Sequence, residues 1–364
     1  MQVKVNREIN YVEEANSILY NYINALSYDK MEKEGIKKIT YSSDLYKKRF
    51  QKISSINSYV IENMRFEKSR LEYFFKEIGN SGMCLSNYLL PLYSEEQFSS
   101  VSEYETAEKS KSREEIIKKF DYILGEHHIF GNNNDEPVDT LEEIVRFMNK
   151  GDFSSEDKWK ILQAIVEHKT HLEELCLILS KTVKLLEECK DDINELETEF
   201  YDYWLNYVNN NNFLEQLQKC TNISWKYSEK GNVIIPAIFH PHTITISITD
   251  DDNKDVDVIH IGIVLDSNFR IKQATVDSED LNNALKLLSD KSKFEILRFI
   301  KEKPSYGFEI ANELNLSTST ISYHMSGLIA AGLVKLEKDA NKIYYSTNKE
   351  KIADILDDMG QLLL

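Results

Sequence analysis

The segment LNLSTSTISYHMSGL, residues 314–328, sets short hydroxyl and imidazole side chains among apolar residues at helical spacing. Ile321, Met325 and Leu328 recur at i, i+4 and i+7, which predicts a helix with one buried face. Most of its polar side chains would then point away from the core. A helix face without long acids, rich in short hydrogen-bond donors, suits close approach to phosphates and base edges in a major groove.

The neighbouring residues predict the elements that position this helix. Ser317 stands where an N-cap is expected, and Asn315 stands in the preceding turn, where a residue that tolerates positive φ is needed. A short helix over Tyr306–Leu314 precedes the turn. Leu333–Glu337 and Lys342–Thr347 alternate around a polar turn, which predicts a hairpin. Together these elements predict a helix-turn-helix followed by a wing.

Further helices flank this unit. The spacing predicts helices over Leu281–Leu288 and Asp290–Lys301, the second ended by Pro304, and a last helix from Asn348. The last helix carries an apolar stripe that so small a domain can hardly bury.

The run from residue 288 to 346 resembles the winged helix-turn-helix of the ArsR/SmtB family of bacterial repressors. The likeness lies in L-S-x-S-T-I-S-x-H-M-x-x-L over 316–328 and in the A-G-L-V that opens the wing. It implies a homodimer that reads a palindromic double-stranded operator through paired recognition helices, with half-sites about 34–36 Å apart. It implies dimer contacts through the first and last helices of the domain, at Leu281, Leu285, Leu288, Ile352, Ile355, Leu356 and Met359.

The same resemblance assigns DNA contacts by position. Thr318, Ser319, Ser322 and Tyr323 would face the groove. Ser317, Thr320 and His324 would make phosphate or structural contacts, and Lys338 and Lys342 would be wing contacts. The sequence departs from the family at its metal sites, because YGFEI stands where C-x-C is expected and the last helix has no His. No metal or other cofactor is therefore predicted.

The part of the chain before Leu281 is longer than the winged helix-turn-helix and is acidic. The chain has 364 residues and a net charge of −17, and acidic and basic residues balance from Leu281 onward, so the whole excess lies before it. Such a body would repel DNA, so tight binding should be site-specific and salt-sensitive. The fold class is predicted to be mainly α with a small antiparallel β region (α+β): a helical body over 1–220, the β region over 221–278, and the winged helix-turn-helix over 279–364.

Within the body, apolar residues from Leu172 to Tyr207 keep a heptad rhythm, which predicts one long helix with Ser43–Met64 as its partner. The stripe has two interpretations, the core of a helical bundle, which is favoured, or a dimerisation arm. Strands are predicted near Ile223–Tyr227, Val233–Phe239, Thr243–Thr249 and Val256–Leu265.

The sequence gives less support to metal binding, calcium binding or catalysis. His168 and His171 lie three apart on a helix and, with His240/His242 or His127/His128, are candidate metal ligands, but surface or satisfied histidines are the favoured interpretation. The loop Asp250–Asp257 lacks the glycine and glutamate of a calcium loop. No nucleophile elbow, phosphate loop or Cys/His signature is present, which argues against an enzyme.

The start of the chain lacks the apolar core of a signal peptide and no stretch is long enough to span a membrane, so a cytoplasmic location is expected. The sequence therefore predicts a cytoplasmic, homodimeric transcription regulator, with a body that dimerises or senses a small-molecule effector. The alternative is a protein-interaction scaffold whose winged helix mediates assembly without sequence-specific DNA binding.

Overall fold

The computed structural model has two hydrophobic cores, one in the body and one in the C-terminal domain. None of its described helices is long and apolar enough to cross a membrane. The structure describes residues 3–38, 43–79, 82–90, 92, 98–127, 140–150, 153–215, 217, 223–224, 231–247, 257–265, 278–316, 318–339 and 342–363.

Helices make up most of the body. In the described residues they are α1 (Tyr11–Ile23), α2 (Tyr28–Lys38), α3 (Ser43–Asn63), α4 (Lys68–Phe75), α5 (Leu85–Leu89), α6 (Val101–Ser110), α7 (Arg113–His127), α8 (Leu141–Lys150), α9 (Ser155–Val166), α10 (His168–Glu188) and α11 (Lys190–Asn210).

The helix predicted over Leu172–Tyr207 is instead two helices, α10 and α11, which are interrupted at Cys189. The break lies inside an acidic stretch. Glu187 and Asp191 are four apart, as are Glu188 and Asp192, and like charges at this spacing destabilise a helix. At the far end, α11 stops at Asn210, inside the asparagine-rich stretch 209–212, whose side chains compete for backbone hydrogen bonds.

The heptad seam is buried inside its own chain. Leu172, Leu179, Leu186 and Ile193 have no exposed surface, and helices α1, α3 and α6 cover the seam. The predicted partner helix, α3, packs against both α10 and α11. The seam therefore belongs to the core of a helical bundle, because its apolar face is already covered within one chain.

A small sheet completes the body. Its strands are β1 (Val3–Val5), β3 (Asn232–Ala237), β4 (Ile244–Ser247) and β5 (Asp257–Gly262). They run in the order β1-β3-β5-β4, and the sheet is mixed rather than antiparallel as predicted. Strand β1 comes from the start of the chain and pairs parallel to β3, which pairs parallel to β5, so only β4 and β5 are antiparallel.

A buried carboxylate joins this sheet to the helices. Glu14, in the first turn of α1, accepts hydrogen bonds from the backbone N–H groups of Ile238 (2.7 Å) and Phe239 (2.9 Å), directly after β3. Burial raises the pKa of Glu14 to about 8. The strands and the helices also share one hydrophobic core. The domain boundary predicted between residues 220 and 221 therefore crosses a continuous core.

The C-terminal domain has the predicted element order. It contains α12 (Ser278–Ser289), α13 (Lys291–Glu302), α14 (Gly307–Leu314), α15 (Thr318–Ala330), the hairpin strands β6 (Val334–Asp339) and β7 (Lys342–Thr347), and α16 (Lys349–Leu363). The hairpin pairs antiparallel from Val334↔Thr347 to Asp339↔Lys342.

One strand predicted for the body sheet lies elsewhere. Strand β2 (Ile223–Ser224) pairs parallel to β6, opposite Leu336 and Glu337, and so becomes a third strand of the wing sheet. Alternation along the sequence shows that a segment is a strand but cannot show which sheet edge it joins, because many edges offer the same backbone groups.

The turn between α14 and α15 has the expected conformation. Asn315 adopts φ 53° and ψ 44°, in the left-handed region, and ends α14. Its neighbour Leu316 donates its N–H to the carbonyl of Ala311 at 3.0 Å. Because Asn315 lies between the two helices, its left-handed conformation helps to set the angle between α14 and α15.

Asn315→Val should destabilise the C-terminal domain by about 1–2 kcal/mol, because a β-branched residue is strained at positive φ. Asn315→Gly removes that strain and should leave the domain nearly as stable as before. Native-state hydrogen exchange at amides of α14 and α15 measures the local opening free energy. Equal opening free energies in both variants would contradict the role of this turn.

Candidate nucleic-acid interface

Helix α15 is held by one fully buried face. Ile321, Met325 and Leu328 each have no exposed surface and pack in the core of the C-terminal domain. This agrees with the spacing in the sequence. Three fully packed side chains fix the rotation of the helix about its own axis, because turning it would expose them and open cavities.

The opposite face of α15 presents Tyr323 and Ser326 to solvent. The Tyr323 side chain is 64% exposed, which is unusual for a large aromatic residue. Ser326 is exposed, and its hydroxyl donates to the carbonyl of Ser322 at 3.0 Å. Thr320 and His324 are partly buried along the edge of this face.

Ser322, predicted to face the groove, is only partly exposed, and its Oγ has no exposed surface and no hydrogen-bond partner in the described residues. The reason is angular, because Ser322 lies about 100° around the helix from the buried Ile321. Ser322 therefore flanks the core, and the prediction that its hydroxyl points outward is wrong.

Several predicted contacts cannot be placed. Ser317 lies outside the described residues. The backbones of four others are described within α15, β6 and β7, but their side chains lie outside the description: Thr318, Ser319, Lys338 and Lys342.

A lysine that sequence reasoning did not assign to the core lies beneath this face. Lys293 of α13 is 9% exposed. Its ammonium nitrogen is 3.2 Å from Nδ1 of His324 and 5.5 Å from the centroid of the Tyr323 ring. It also lies 3.6 Å from a carboxylate oxygen of Asp290. The spacing of the sequence indicates this burial, because Lys293 precedes the buried Ile296 by three residues and so lies on the same face of α13.

Charges around this lysine act on its neighbours. Burial lowers the pKa of His324, the nearby Lys293 ammonium lowers it further, and Asp290 opposes both effects. The pKa of Asp290 is itself lowered, first by the hydrogen bond that it accepts from the backbone N–H of Lys293 at the start of α13.

The residues predicted for the dimer face differ in their exposure. Helices α12 and α16 pack against one another. Leu356 is 60% exposed, but Ile355 is 3% exposed and belongs to the hydrophobic core of its own domain, so Ile355 is not available to a partner subunit. The side chain of Leu281 lies outside the described residues. The remaining predicted residues are partly exposed: Leu285, Leu288, Ile352 and Met359.

The candidate metal ligands His168, His171 and His242 each lie near other side chains of the body. His168 is buried near Glu108, and His171 accepts or donates a hydrogen bond with Tyr73 at 2.8 Å. His242 has a similar bond with Tyr46 at 2.7 Å. The described residues contain no group of three or more His, Cys, Asp or Glu side chains arranged to hold a metal ion. His127 has no described side chain, and His128 and the loop 250–256 lie outside the described residues.

A shallow cavity of about 250 Å³ lies between α2 and α3. Its lining combines Tyr28 and Phe50 with polar side chains, among them Asp29, Glu32 and Ser54. Ligand pockets usually exceed about 300 Å³ and enclose most of the ligand. We therefore assign no effector to this cavity.

The arrangement of α13–α15 with the β6–β7 hairpin defines a winged helix-turn-helix. The model of the arsR family of bacterial regulatory proteins matches residues 290–335. The chain is 32% identical over 82 residues to the arsenical resistance operon repressor of Staphylococcus aureus, covering 22% of this chain and 79% of the repressor. It is 29% identical over 87 residues to the cadmium resistance transcriptional regulatory protein CadC of Listeria innocua, and the match covers 24% of this chain and 73% of CadC.

A solved structure, NolR from Sinorhizobium fredii, is 28% identical and covers 24% of this chain and 87% of its own, with a TM-score of 0.21. The chain belongs to the arsR family, and its C-terminal domain is that of a DNA-binding transcriptional regulator.

Proposed function

We propose that this protein is a homodimeric transcriptional repressor that binds a palindromic operator in the bacterial cytoplasm. The observation that carries the proposal is the outward face of α15, where Tyr323 and Ser326 project opposite a fully buried face. A helix held so rigidly can present the same donors to each half-site. The relatives are named as regulators and repressors rather than enzymes.

The dimer would form through α12 and α16. Leu356 of α16 is a large apolar side chain left 60% exposed, and α12, which packs against α16, carries partly exposed leucines. A second copy placed on the same surface about a two-fold axis would bury these side chains and set the spacing of the two recognition helices.

The body would act on the wing through β2. Leu217 of the body core precedes Ile223 by six residues, and β3 of the body sheet starts eight residues after Ser224. Because six extended residues span at most about 22 Å, the wing is held close to the body while β2 is paired. An effector that favoured one position of this strand would change the wing, and with it operator affinity.

Selection from random duplex DNA tests the central proposal. Wild-type protein should enrich a palindrome, and Tyr323→Glu should abolish the enrichment, because a carboxylate there repels phosphates. Trp159→Glu is the matched control, since Trp159 is equally exposed (63%) but lies on α9 of the body. If folded wild-type protein enriches no sequence at low salt, the interaction scaffold becomes the better account.

Leu356→Glu should convert the dimer to a monomer, measured by sedimentation velocity, because a charge would be buried at the centre of the interface. Leu177→Glu introduces the same change on α10 at a leucine that is 49% exposed and should leave the dimer intact. Dimers that persist in Leu356→Glu would show that another surface joins the two copies.

A disulfide tests the coupling through β2. Ser224 and Glu337 are register partners, so Ser224→Cys with Glu337→Cys should form a cross-link on oxidation, in a background lacking Cys189 and Cys220. We expect oxidation to change operator affinity at least threefold. Lys335→Cys with Ser346→Cys cross-links the hairpin alone and should leave affinity unchanged.

Two outcomes count against this coupling. If no cross-link forms between residues 224 and 337, the strand is not paired in solution. If the cross-link forms but affinity is the same in the oxidised and reduced protein, β2 does not transmit changes to DNA binding.

A further inference from the structure

The contact between Lys293 and His324 bears on which imidazole nitrogen carries the proton. An ammonium group has three hydrogen-bond donors and no acceptor. Nδ1 of His324 lies 3.2 Å from the ammonium of Lys293, and a hydrogen bond between them requires Nδ1 to accept and therefore to carry no proton. The imidazole is then neutral, with its single proton on Nε2.

The same ammonium orients the neighbouring ring. It lies 5.5 Å from the centroid of Tyr323, within the range of a cation–π contact. The rings of Tyr323 and His324 are themselves 5.5 Å apart at an angle of 62°. One buried cation thus contacts two adjacent side chains on the DNA-facing side of α15.

We propose that Lys293 is a positioning residue for DNA recognition, which holds His324 as a hydrogen-bond donor through Nε2 toward an acceptor atom of the duplex. The inference rests on the proposed function. The acceptor is a phosphate oxygen or a base-edge oxygen or nitrogen, since each accepts from an N–H group. Lys293 itself stays inside the protein and does not contact DNA, because it is nearly buried.

The charges facing His324 favour this state. They come from Lys293 and from Asp290, which precedes α13, and the nearest ring on its own helix is Tyr323. Burial and the Lys293 charge both lower the pKa of His324, which favours the neutral ring, and Asp290 opposes them. Protonation would place a second donor against the ammonium and break the contact.

Nuclear magnetic resonance of ¹⁵N-histidine-labelled protein reports the tautomer directly, without DNA. In wild-type protein the His324 nitrogens should show the Nε2–H pattern, assigned by the signals lost in His324→Gln. In Lys293→Met this preference should weaken, and the pKa of His324 should rise because the repelling charge is gone. Lys293→Arg keeps a charged donor and should restore both properties.

Operator binding supplies the second readout. Lys293→Met should weaken it roughly tenfold, an effect typical of losing one hydrogen bond at a charged or polar site. His324→Gln places an amide N–H near the position of Nε2 and should retain most of the affinity, whereas His324→Ala should not. A loss seen equally on selected and unrelated duplexes indicates a phosphate acceptor, and a loss confined to the selected operator indicates a base edge.

The two readouts separate the possible failures. A wild-type tautomer with the proton on Nδ1, or full operator affinity in Lys293→Met, overturns the positioning role. If the tautomer is as expected but no duplex binds the wild-type protein, the proposed function fails and the inference about DNA falls with it. The intramolecular contact between the two residues would still stand.

Discussion

The orientation of α15 depends on three side chains with no exposed surface, Ile321, Met325 and Leu328. Removing a buried Leu, Ile or Met side chain to Cβ costs about 2–5 kcal/mol, so these residues leave the helix a single rotation. Everything on the outward face follows from that rotation. Tyr323 is exposed to solvent, Ser322 lies beside the buried face, and His324 contacts the ammonium of Lys293 on α13.

The second constraint is the separation of the hydrophobic cores. The body core and the C-terminal core consist of different residues, and within the described part of the chain β2 adds a direct backbone connection between their regions. Two peptide units contribute little free energy compared with either core. A weak link between two stable cores is the kind of element whose equilibrium a ligand or a second subunit can shift.

The sequence predicts features that depend on periodic spacing or on one local conformation. It predicts little of the pairing between segments that are distant in the chain. Helical spacing identified α15 and its buried face, and the need for positive φ identified Asn315, because both are local properties of the chain. The parallel pairing of β1 with β3 was missed, since strand partners distant in sequence leave no periodic signal. The break at Cys189 was missed because the apolar rhythm continues on both sides of it.

Electrostatics decides how such a domain can hold DNA. Acidic and basic residues balance from Leu281 onward, and two exposed cations in this part of the chain already have acidic neighbours: Arg298 lies 3.5 Å from Glu295 and Lys303 lies 3.8 Å from Glu309. Phosphates must compete with these carboxylates, and the acidic body adds repulsion. Counterion release from phosphates therefore contributes less here than in a basic domain. Affinity must come instead from contacts made in register along the groove, which makes the side chains that fix that register, Lys293 among them, matter more than the net charge.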